Sequence, residues 1–312
     1  MKKNLTVAVL AGGTSAERGV SRISGAAVAQ ALQKKGFRVL TFDPKNQLPK
    51  FIAARNEIDV VFPALHGRGG EDGEIQKLLT KLKIPFVGSG VRGMQNSFDK
   101  VRAKKIYRAG KLPIARQQVF APNSQVRLKL KFPVFVKPAR EGSSFGASLV
   151  REDRQFAAAL KKAWTFGAAL VEEFLDGTEI SVGVLENPNG KLTALPPIEI
   201  CSKNSFFDFK AKYDSKFSEE IVPARISRTL EKRAQLLAKK AHQLLKLRHL
   251  SRSDFIIVGA QIYILETNTL PGFTPNSLFP KEAAAAGIEF AELIERLICL
   301  AIPVPVSACR KN

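Results

Sequence analysis

The sequence predicts a mixed fold of the α/β and α+β classes, in which an N-terminal open parallel α/β domain precedes two smaller modules. Strand and helix signals alternate through the first hundred residues, which is typical of an open parallel sheet. After about residue 98 the pattern changes to short strands, and near Thr178 it changes again. The chain has 312 residues, 45% of them hydrophobic, which suffices for three modules of ordinary domain size. We expect their boundaries at 1–97, 98–177 and 178–312.

The first region contains four apolar runs that indicate strands, with helix signals between them. One helix is predicted to begin at its cap Ser21 and to end before Gly36. The predicted strands are 5–10, 37–42, 59–65 and 85–87, and the predicted helices are 21–35 and 73–82. Sheets of this kind bind ligands beyond the carboxyl ends of their strands, where the loops 11–19 and 66–73 lie.

The later regions contain shorter strands. A basic helix is predicted from about Phe98, and a long helix near 228–247 has apolar residues on one face. The remaining predicted elements are the strands 134–137, 147–150 and 168–173, a helix between the last two, and a hairpin of strands 254–258 and 261–266. The turn of that hairpin is Gly259 and Ala260.

The charge of the chain is unusually positive. Lysine and arginine number 49 against 28 acidic residues, which gives a formal net charge of +21. Such a balance raises the possibility of nucleic-acid binding. The basic residues are spread widely, however, and no helix-turn-helix, RNA-recognition or zinc-finger spacing accompanies them. We therefore expect no specific nucleic-acid partner.

Cysteine usage and hydropathy indicate the compartment. Cys201, Cys299 and Cys309 are odd in number and far apart, so they predict neither a disulfide framework nor a CxxC metal site. The apolar run 7–11 is too short for a signal-peptide core, and no stretch reaches the roughly twenty apolar residues of a membrane span. These features favour a soluble, cytoplasmic protein without a membrane partner.

Two loops of the first region carry charged residues that could serve a site. They read "AGGTSAERG" and "HGRGGEDG" and contain Glu17, His66, Glu71 and Asp72. Neither has the G-x-G-x-x-G fingerprint of dinucleotide-binding proteins, and "KPAREGSSFG" at 137–146 lacks the Walker A pattern. Helix caps or surface charges are the alternative interpretation of these residues.

A stronger signal lies at 252–278. Glu266 and Asn268 are two apart at the end of one strand and so share a face, while Asp254 opens the hairpin partner of that strand, with Arg252 beside it. Carboxylate and amide oxygens of this kind suit Mg²⁺. The alternative is a polar hairpin end that carries these residues by chance. Lysines at 100, 137 and 212, with the acidic pair 172 and 173, add the parts needed to bind ATP without a P-loop.

With these residues in view, the chain resembles the D-alanine–D-alanine ligases of the ATP-grasp superfamily. The matching segments follow the family order nearly from end to end. They are "GGTSAERGVS", "ALHGRGGEDG", "GSGV", "DKVRAK", "VKPAREGSSFG", "EEFLDGTEISV", "FFDFKAKY", "SRSDF" and "LETNTLPGFTPNSLFP". The resemblance implies that the N-terminal α/β domain is followed by a two-module ATP-grasp fold.

The resemblance also implies the ligands of the nucleotide. Lys100 and Lys137 would bind the α- and β-phosphates, and the loop at Gly142, Ser143 and Ser144 would cover them. The residues implied for the adenine and the ribose are Glu172, Glu173, Phe174, Leu175 and Glu179. Asp254, Glu266 and Asn268 would hold two Mg²⁺ ions, with Mn²⁺ as the alternative metal.

In enzymes of this family the carboxylate of the first D-alanine takes the γ-phosphate of ATP. The amine of the second D-alanine then attacks the resulting acylphosphate through a tetrahedral intermediate. The implied catalytic residues are Glu17, Ser143, Lys212, Tyr213 and Arg252, and the implied substrate contacts are Glu17, His66, Gly272, Ser277 and Leu278. The dipeptide would serve peptidoglycan precursor synthesis, and similar ligases are usually homodimers.

Tyr213 favours D-alanine over D-lactate as the second substrate, because phenylalanine at this position in the family goes with depsipeptide formation. A D-alanine–D-lactate ligase or another ATP-grasp amino-acid ligase is the alternative. A basic nucleic-acid-binding protein on an inactive ligase scaffold is a third hypothesis. The chain departs from the family pattern at Phe145, Ser253 and Leu270.

Overall fold

The computed structural model of the chain describes residues 5–202 and 218–302. Two predicted site residues, Lys212 and Tyr213, lie outside the described residues, and so does Cys309.

The first sheet is parallel and has the strand order β2-β1-β3. Its elements are β1 (Thr6–Ala11), α1 (Arg18–Lys34), β2 (Arg38–Phe42), α2 (Pro44–Ala53), β3 (Val60–Ala64), α3 (Glu74–Lys81) and α4 (Val91–Phe98). Every residue of β1 is buried, as expected of a central strand that carries helices on both faces. The predicted open parallel sheet is confirmed. The segment 85–87 adds only a bridge between Val61 and Phe86.

One local prediction in this region is wrong. Helix α1 begins three residues before the predicted cap Ser21, with Glu17 at the N-cap position. The hydroxyl of Ser21 instead donates to the carbonyl of Ala64 at 2.6 Å and accepts from the amide of Gly12 at 2.8 Å. Ser21 therefore ties the helix to the strand ends. Helix α2 was not predicted, because Pro49 lies within it.

The second sheet is antiparallel and has the strand order β4-β7-β5-β6. Its elements are α5 (Lys100–Ala109), β4 (Gln117–Phe120), β5 (Val134–Pro138), β6 (Ser148–Val150), α6 (Asp153–Trp164) and β7 (Ala169–Glu173). Three of these strands and α6 match the predicted elements within one or two residues. Helix α6 packs on the sheet through its buried residues Phe156, Ala159, Leu160 and Ala163.

The third sheet is larger, with the order β11-β10-β8-β12-β13 and with β9 paired to β8. Its elements are β8 (Thr178–Glu186), β9 (Leu192–Ala194), β10 (Ile198–Ser202), β11 (Ser218–Ile221), α7 (Arg228–Leu244), β12 (Leu250–Val258) and β13 (Gln261–Asn268). Strand β12 begins four residues earlier than predicted. Asp254 consequently lies in the middle of this strand and does not open it.

A β-bulge interrupts the hairpin of β12 and β13. Asp254 pairs with Glu266, but the next pair is Phe255 with Ile264, so Leu265 is the extra residue on β13. Alternation along β13 is therefore broken, and Leu265 and Glu266 both turn to the same face. Bulges of this kind redirect side chains near functional sites, and here the bulge places Glu266 and Asn268 on the face of Leu265 instead of the face of Ile264.

The last two described helices are α8 (Leu278–Ala285) and α9 (Phe290–Ala301). Helix α9 contributes Leu293, Ile294, Leu297 and Ile298 to the core that also contains Val7 and Val9 of β1. The C-terminal helices thus return to the N-terminal sheet and complete its core. In residues 5–202 and 218–302, no helix has the length and apolar character needed to cross a membrane.

Candidate active site

A large cavity lies where the three sheets meet, with a volume of about 1330 Å³. Pockets for a single small ligand usually measure about 300–1,000 Å³, so this cavity has room for more than one molecule. All the predicted site residues within the described ranges line it. They are Glu17, His66, Lys100, Lys137, Gly142, Ser143, Ser144, Glu172, Glu173, Phe174, Leu175, Glu179, Arg252, Asp254, Glu266, Asn268, Gly272, Ser277 and Leu278.

One wall of the cavity is the polar face of the β12–β13 hairpin. Asp254 stands directly opposite Glu266, and Arg252 stands opposite Asn268, so all four side chains share a face. The Arg252 guanidinium contacts both oxygens of Asp254, with its Nε 3.0 Å from Oδ1 and its Nη2 3.1 Å from Oδ2. Nδ2 of Asn268 donates to Oδ2 of Asp254 at 2.9 Å. Arg252 and Asp254 therefore orient each other.

The first turn of α5 brings Lys100 to this wall. Asp99 caps the helix by accepting a hydrogen bond from the amide of Arg102 at 3.0 Å. The ammonium of Lys100 donates to the carbonyl of Glu141 at 2.6 Å and lies 3.1 Å from Oε2 of Glu266. Lys100 thus connects the start of the glycine- and serine-rich loop with the carboxylate wall.

A buried ion cluster lies close to this wall, next to Ile264 of β13. Oε1 of Glu172 is 2.7 Å from Nζ of Lys104, and its Oε2 is 2.6 Å from Nζ of Lys137. Burial alone would raise the pKa of Glu172, but Lys104 and Lys137 lower it to about 2. Burial lowers the pKa of Lys104, although the Glu172 carboxylate opposes that change. Sequence reasoning proposed Glu172 and Lys137 for the site but missed Lys104.

The adenine and ribose positions implied by the resemblance follow this cluster along the chain. Glu173 ends β7, where its carboxylate accepts from Nε of Arg116 at 2.6 Å. Phe174 and Leu175 lie in the connection from β7 to β8, and Glu179 lies near the start of β8. This strand connection forms the apolar part of the cavity that a flat aromatic ring would need.

The loop 142–144 closes the cavity towards the N-terminal sheet. Ser143 and Ser144 have φ angles of 47° and 58°, in the left-handed region that non-glycine residues rarely adopt. The hydroxyl of Ser143 donates to the carboxylate of Glu17. A Cβ atom on Gly142 would lie 2.9 Å from Oε2 of Glu17, so a larger residue at this position would displace the Glu17 carboxylate.

A second contact holds the same loop. Nε of Arg68 lies 2.6 Å from Oε1 of Glu141, and Nη2 of Arg68 donates to the carbonyl of Phe166 at 3.2 Å. Sequence reasoning missed Arg68 and Glu141, although both lie inside motifs that it quoted. The contact joins the loop after β3 to the loop after β5.

His66 is fixed between two elements. Its Nδ1 lies 3.1 Å from the carbonyl of Leu270, and its Nε2 lies 3.3 Å from the hydroxyl of Ser24. Because a carbonyl can only accept, Nδ1 carries the proton and Nε2 accepts from Ser24. Burial lowers the pKa of His66, although Glu17 opposes this shift. The imidazole is therefore neutral at neutral pH.

Glu71 is a further carboxyl in the cavity. It accepts a hydrogen bond from the amide of Gly67 at 2.8 Å. Burial, followed by the charge of Glu17, raises the pKa of Glu71 to about 8. This carboxyl is therefore largely protonated at neutral pH and adds little negative charge to the cavity.

The start of α8 forms the last wall. Ser277 is the N-cap residue, and its Oγ accepts from the amide of Thr274 at 3.2 Å. A Cβ atom on Gly272 would lie 2.8 Å from that Oγ, so the chain can approach Ser277 only with glycine at this position. Leu278 begins the helix and packs with Ile198 and Ile200. These residues present an N-terminal helix end to the cavity.

The three departures from the family pattern have separate environments. Phe145 lines the cavity. The hydroxyl of the buried Ser253 lies 2.9 Å from that of Thr267, which also accepts from Tyr107, so this polar group is satisfied in the interior. Leu270 is buried, and it contributes its carbonyl to His66.

The oxygen donors of the hairpin wall suit a divalent cation. Asp254, Glu266 and Asn268 offer two carboxylates and one amide, and Mg²⁺ completes its octahedron with water and phosphate oxygens. Within the described part of the chain, no group of three or more His, Cys, Asp or Glu residues is arranged to hold a metal ion. Arg252 contacts Asp254, and Lys100 contacts Glu266. Both carboxylates thus already bind positively charged groups. The donor chemistry fits Mg²⁺.

Comparisons with known proteins agree with this geometry. The family model described as "D-ala D-ala ligase C-terminus" matches residues 110–299, and the model described as "D-ala D-ala ligase N-terminus" matches residues 43–89. The chain belongs to the D-alanine–D-alanine ligase family. A D-alanine–D-alanine ligase of Syntrophobacter fumaroxidans is 47% identical over 308 residues, which cover 96% of this chain and 98% of the relative. That of Geotalea uraniireducens is 43% identical, with 96% of each chain covered.

Solved structures of this ligase family have the same fold. The D-alanine–D-alanine ligase from Bacillus anthracis in complex with ATP matches with a TM-score of 0.83 and 26% identity, covering 95% of this chain and 97% of that one. The VanG D-Ala:D-Ser ligase from Enterococcus faecalis also matches with a TM-score of 0.83, at 28% identity, covering 96% and 100%. Ligases with different second substrates thus share one fold. The choice of the second substrate must therefore depend on side chains in the site.

Proposed function

We propose that this protein ligates two D-alanine molecules to D-alanyl-D-alanine while ATP is converted to ADP and phosphate. The dipeptide is a precursor of peptidoglycan. Membership of the ligase family and near full-length identity of 47% to a D-alanine–D-alanine ligase support this activity. The cavity carries the proposal, because phosphate-binding lysines, a carboxylate wall and the Glu17–Ser143 pair all face one space.

The chemistry needs two successive displacements. In the first, a carboxylate oxygen of one D-alanine bonds to the γ-phosphorus of ATP and ADP leaves. In the second, the amine of the other D-alanine bonds to the acyl carbon, phosphate leaves and a proton departs from the amine. Carboxylate and triphosphate repel each other, so the site must neutralise negative charge before the first step.

The cations of the cavity are placed for this neutralisation. Lys100 and Lys137 both line the cavity, where they would bind phosphate oxygens. Arg252 is held by Asp254 and would stabilise the oxyanion of the tetrahedral intermediate. Glu17, held by Ser143, would bind the ammonium group of the first D-alanine.

We assign the divalent cations to the hairpin wall. Asp254, Glu266 and Asn268 would hold Mg²⁺, which supplies charge neutralisation for the phosphates when bound. Arg252 and Lys100 would then exchange part of their contact with these carboxylates for contact with substrate. Mn²⁺ prefers the same oxygen donors and is the alternative metal.

Product analysis tests the function directly. Purified protein is incubated with ATP, Mg²⁺ and D-alanine, and separately with D-alanine plus D-lactate or D-serine, and the products are identified by mass spectrometry. We expect D-alanyl-D-alanine and an equal amount of phosphate. A depsipeptide or a D-alanyl-D-serine product would replace the proposed second substrate, and the absence of ATP turnover would favour the inactive-scaffold hypothesis.

The metal assignment has its own test. Asp254→Asn should raise the Mg²⁺ concentration needed for half-maximal activity at least tenfold, because it removes one anionic ligand. Asp153→Asn at the exposed start of α6 is the matched control and should leave the Mg²⁺ response unchanged. Equal Mg²⁺ responses of Asp254→Asn and the unaltered protein would contradict the assignment.

The cellular setting and the assembly are also proposals. The cytoplasm supplies ATP, and it is therefore the compartment that we assign to this reaction. We keep the homodimer as the proposed assembly. Light scattering of the purified protein would measure its mass in solution, and a mass equal to the 34.2 kDa chain would contradict the dimer.

A further inference from the structure

The cluster of Lys104, Glu172 and Lys137 holds one carboxylate between two ammonium groups. Each carboxylate oxygen of Glu172 contacts one lysine, at 2.7 Å for Lys104 and 2.6 Å for Lys137. Lys104 has no exposed surface, and Glu172 is 3% exposed. The interior of the protein thus contains one more positive charge than it needs to neutralise Glu172.

The two lysines differ in their other contacts. Lys137 is the second-last residue of β5, before the loop 142–144, and it lines the cavity. Lys104 lies one helical turn after Lys100 on α5 and is not part of the cavity wall. Its ammonium donates to the carbonyl of Ile264 on β13 at 3.0 Å. Lys104 is therefore held by protein groups on both sides, whereas Lys137 faces the space in which a ligand binds.

We propose that Lys104 is a positioning residue that neutralises Glu172 and so allows Lys137 to bind the phosphates of ATP. This inference rests on the proposed function, which assigns ATP to the cavity. A phosphate and Glu172 compete for the same ammonium of Lys137. Lys104 favours the contact between Lys137 and the phosphate. When Lys137 turns to the phosphate, the carboxylate of Glu172 still has the ammonium of Lys104 at 2.7 Å.

The physical reason is the energy of a buried, unpaired charge. Removing one partner of a buried ion pair is strongly destabilising, since the remaining charge has neither water nor a counter-ion. Without Lys104, Lys137 could bind ATP only by leaving the carboxylate of Glu172 buried and unpaired. Lys137 would then stay with Glu172, and the affinity for ATP would fall although the cavity keeps every residue that touches ATP.

A purely structural role makes a different prediction. Lys104 and Tyr107 both connect α5 to β13, through Ile264 and Thr267. If Lys104 served only this connection, its removal would disturb the hairpin wall and would affect D-alanine as much as ATP. The effect would also be independent of the charge of Glu172.

The first experiment compares Lys104→Met with Lys105→Met. Lys105 is the exposed neighbour on the same helix and gives a matched control. We expect Lys104→Met to raise the KM for ATP at least tenfold, with kcat and the KM for D-alanine changed less than twofold. Lys105→Met should match the unaltered protein in all three constants. Equal losses for ATP and D-alanine in Lys104→Met would overturn the proposal.

The second experiment is a double-mutant cycle with Glu172→Gln, read as ATP affinity by calorimetry with Mg²⁺ and without D-alanine. In the Glu172→Gln background, Lys104→Met should weaken ATP binding less than twofold, because no buried carboxylate remains to hold Lys137. The same loss in both backgrounds would overturn the proposal.

The double-mutant cycle remains useful if one of its variants does not fold. If Lys104→Met alone is unstable, the comparison of Glu172→Gln with the double variant still decides the question, since both lack the carboxylate. Product analysis of the unaltered protein separates the two proposals. A protein that binds ATP but ligates no D-alanine would contradict the proposed function and would leave this cycle readable.

Discussion

The hydroxyl of Ser143 donates a hydrogen bond to the carboxylate of Glu17, across 126 positions of the sequence. Ser143 belongs to the loop after β5, and Glu17 occupies the N-cap position of α1, the first helix of the N-terminal domain. The contact joins the loop proposed to cover the phosphates to the residue proposed to bind the first ammonium group. One hydrogen bond thus connects the proposed phosphate site with the proposed site of the first D-alanine.

Ser143→Ala should lower kcat/KM for D-alanine about 10- to 100-fold, since a hydrogen bond to a charged group contributes about 1.5–3 kcal/mol. Steady-state kinetics with varied D-alanine would measure this loss. Ser124→Ala in an exposed loop is the control and should leave kcat/KM unchanged. A change of less than twofold in Ser143→Ala would show that Glu17 does not need this partner.

Arg252→Met should lower kcat by roughly 10² to 10³, the usual effect of removing a group that stabilises an oxyanion. The affinity for ATP should change little, because Lys100 and Lys137 remain. Single-turnover kinetics and calorimetry would separate the two quantities. The exposed Arg108→Met serves as the control. A loss of ATP affinity with unchanged kcat would place Arg252 with the nucleotide instead.

Acid should destabilise the protein between about pH 4.5 and about pH 2. The pKa of Glu172 is about 2, and hydrogen bonds from Arg225 lower that of Glu199 to about 2 as well. Both carboxyls have a pKa near 4.5 when unfolded, so their stabilisation is present above that pH and is lost as the pH falls towards 2. Urea unfolding at several pH values would measure the free energy of unfolding. Glu172→Gln should flatten this dependence, and the exposed Glu74→Gln should not.

Glu282→Gln should stabilise the protein at alkaline pH. Glu282 has no exposed surface, and burial raises its pKa well above the ordinary value, although the charge of Arg252 and the backbone of Gly183 oppose this shift. An acid whose pKa is raised by folding contributes stability below its unfolded pKa and loses it as the pH rises towards the folded value. Thermal unfolding at pH 4.5 and pH 8.5 would measure the difference. A gain at pH 8.5 that exceeds the gain at pH 4.5 is expected, with the exposed Glu57→Gln unchanged at both.

The strands of the parallel sheet were predictable because their signal is local. A buried strand such as β1 is a continuous apolar run between polar turns, and the run alone locates it. Helix α2 was not predictable in this way, since Pro49 interrupts its pattern and only the cap by Asp43 marks its start. Ser21 was misassigned because a serine near a helix start resembles a cap, while its partners Gly12 and Ala64 are distant in the sequence.

In the site, too, contacts between residues distant in the sequence could not be predicted. Motif spacing placed the polar residues of the hairpin on one face, and the residues carried over from the family line one cavity. Lys104 and Lys105 are adjacent and chemically identical, yet the first is fully buried and the second is exposed. Only the packing of α5 against β13 and β7 separates them. The bulge at Leu265, which turns Glu266 to the cavity, likewise depends on pairing between strands.

Helix α9 supplies one wall of the core around β1, and this has a consequence for synthesis. Leu293, Ile294, Leu297 and Ile298 emerge from the ribosome long after the parallel sheet that they cover. Until then Val7, Val9 and their neighbours lack part of their apolar cover. The nascent chain therefore carries an incomplete core around β1 until α9 has been synthesised.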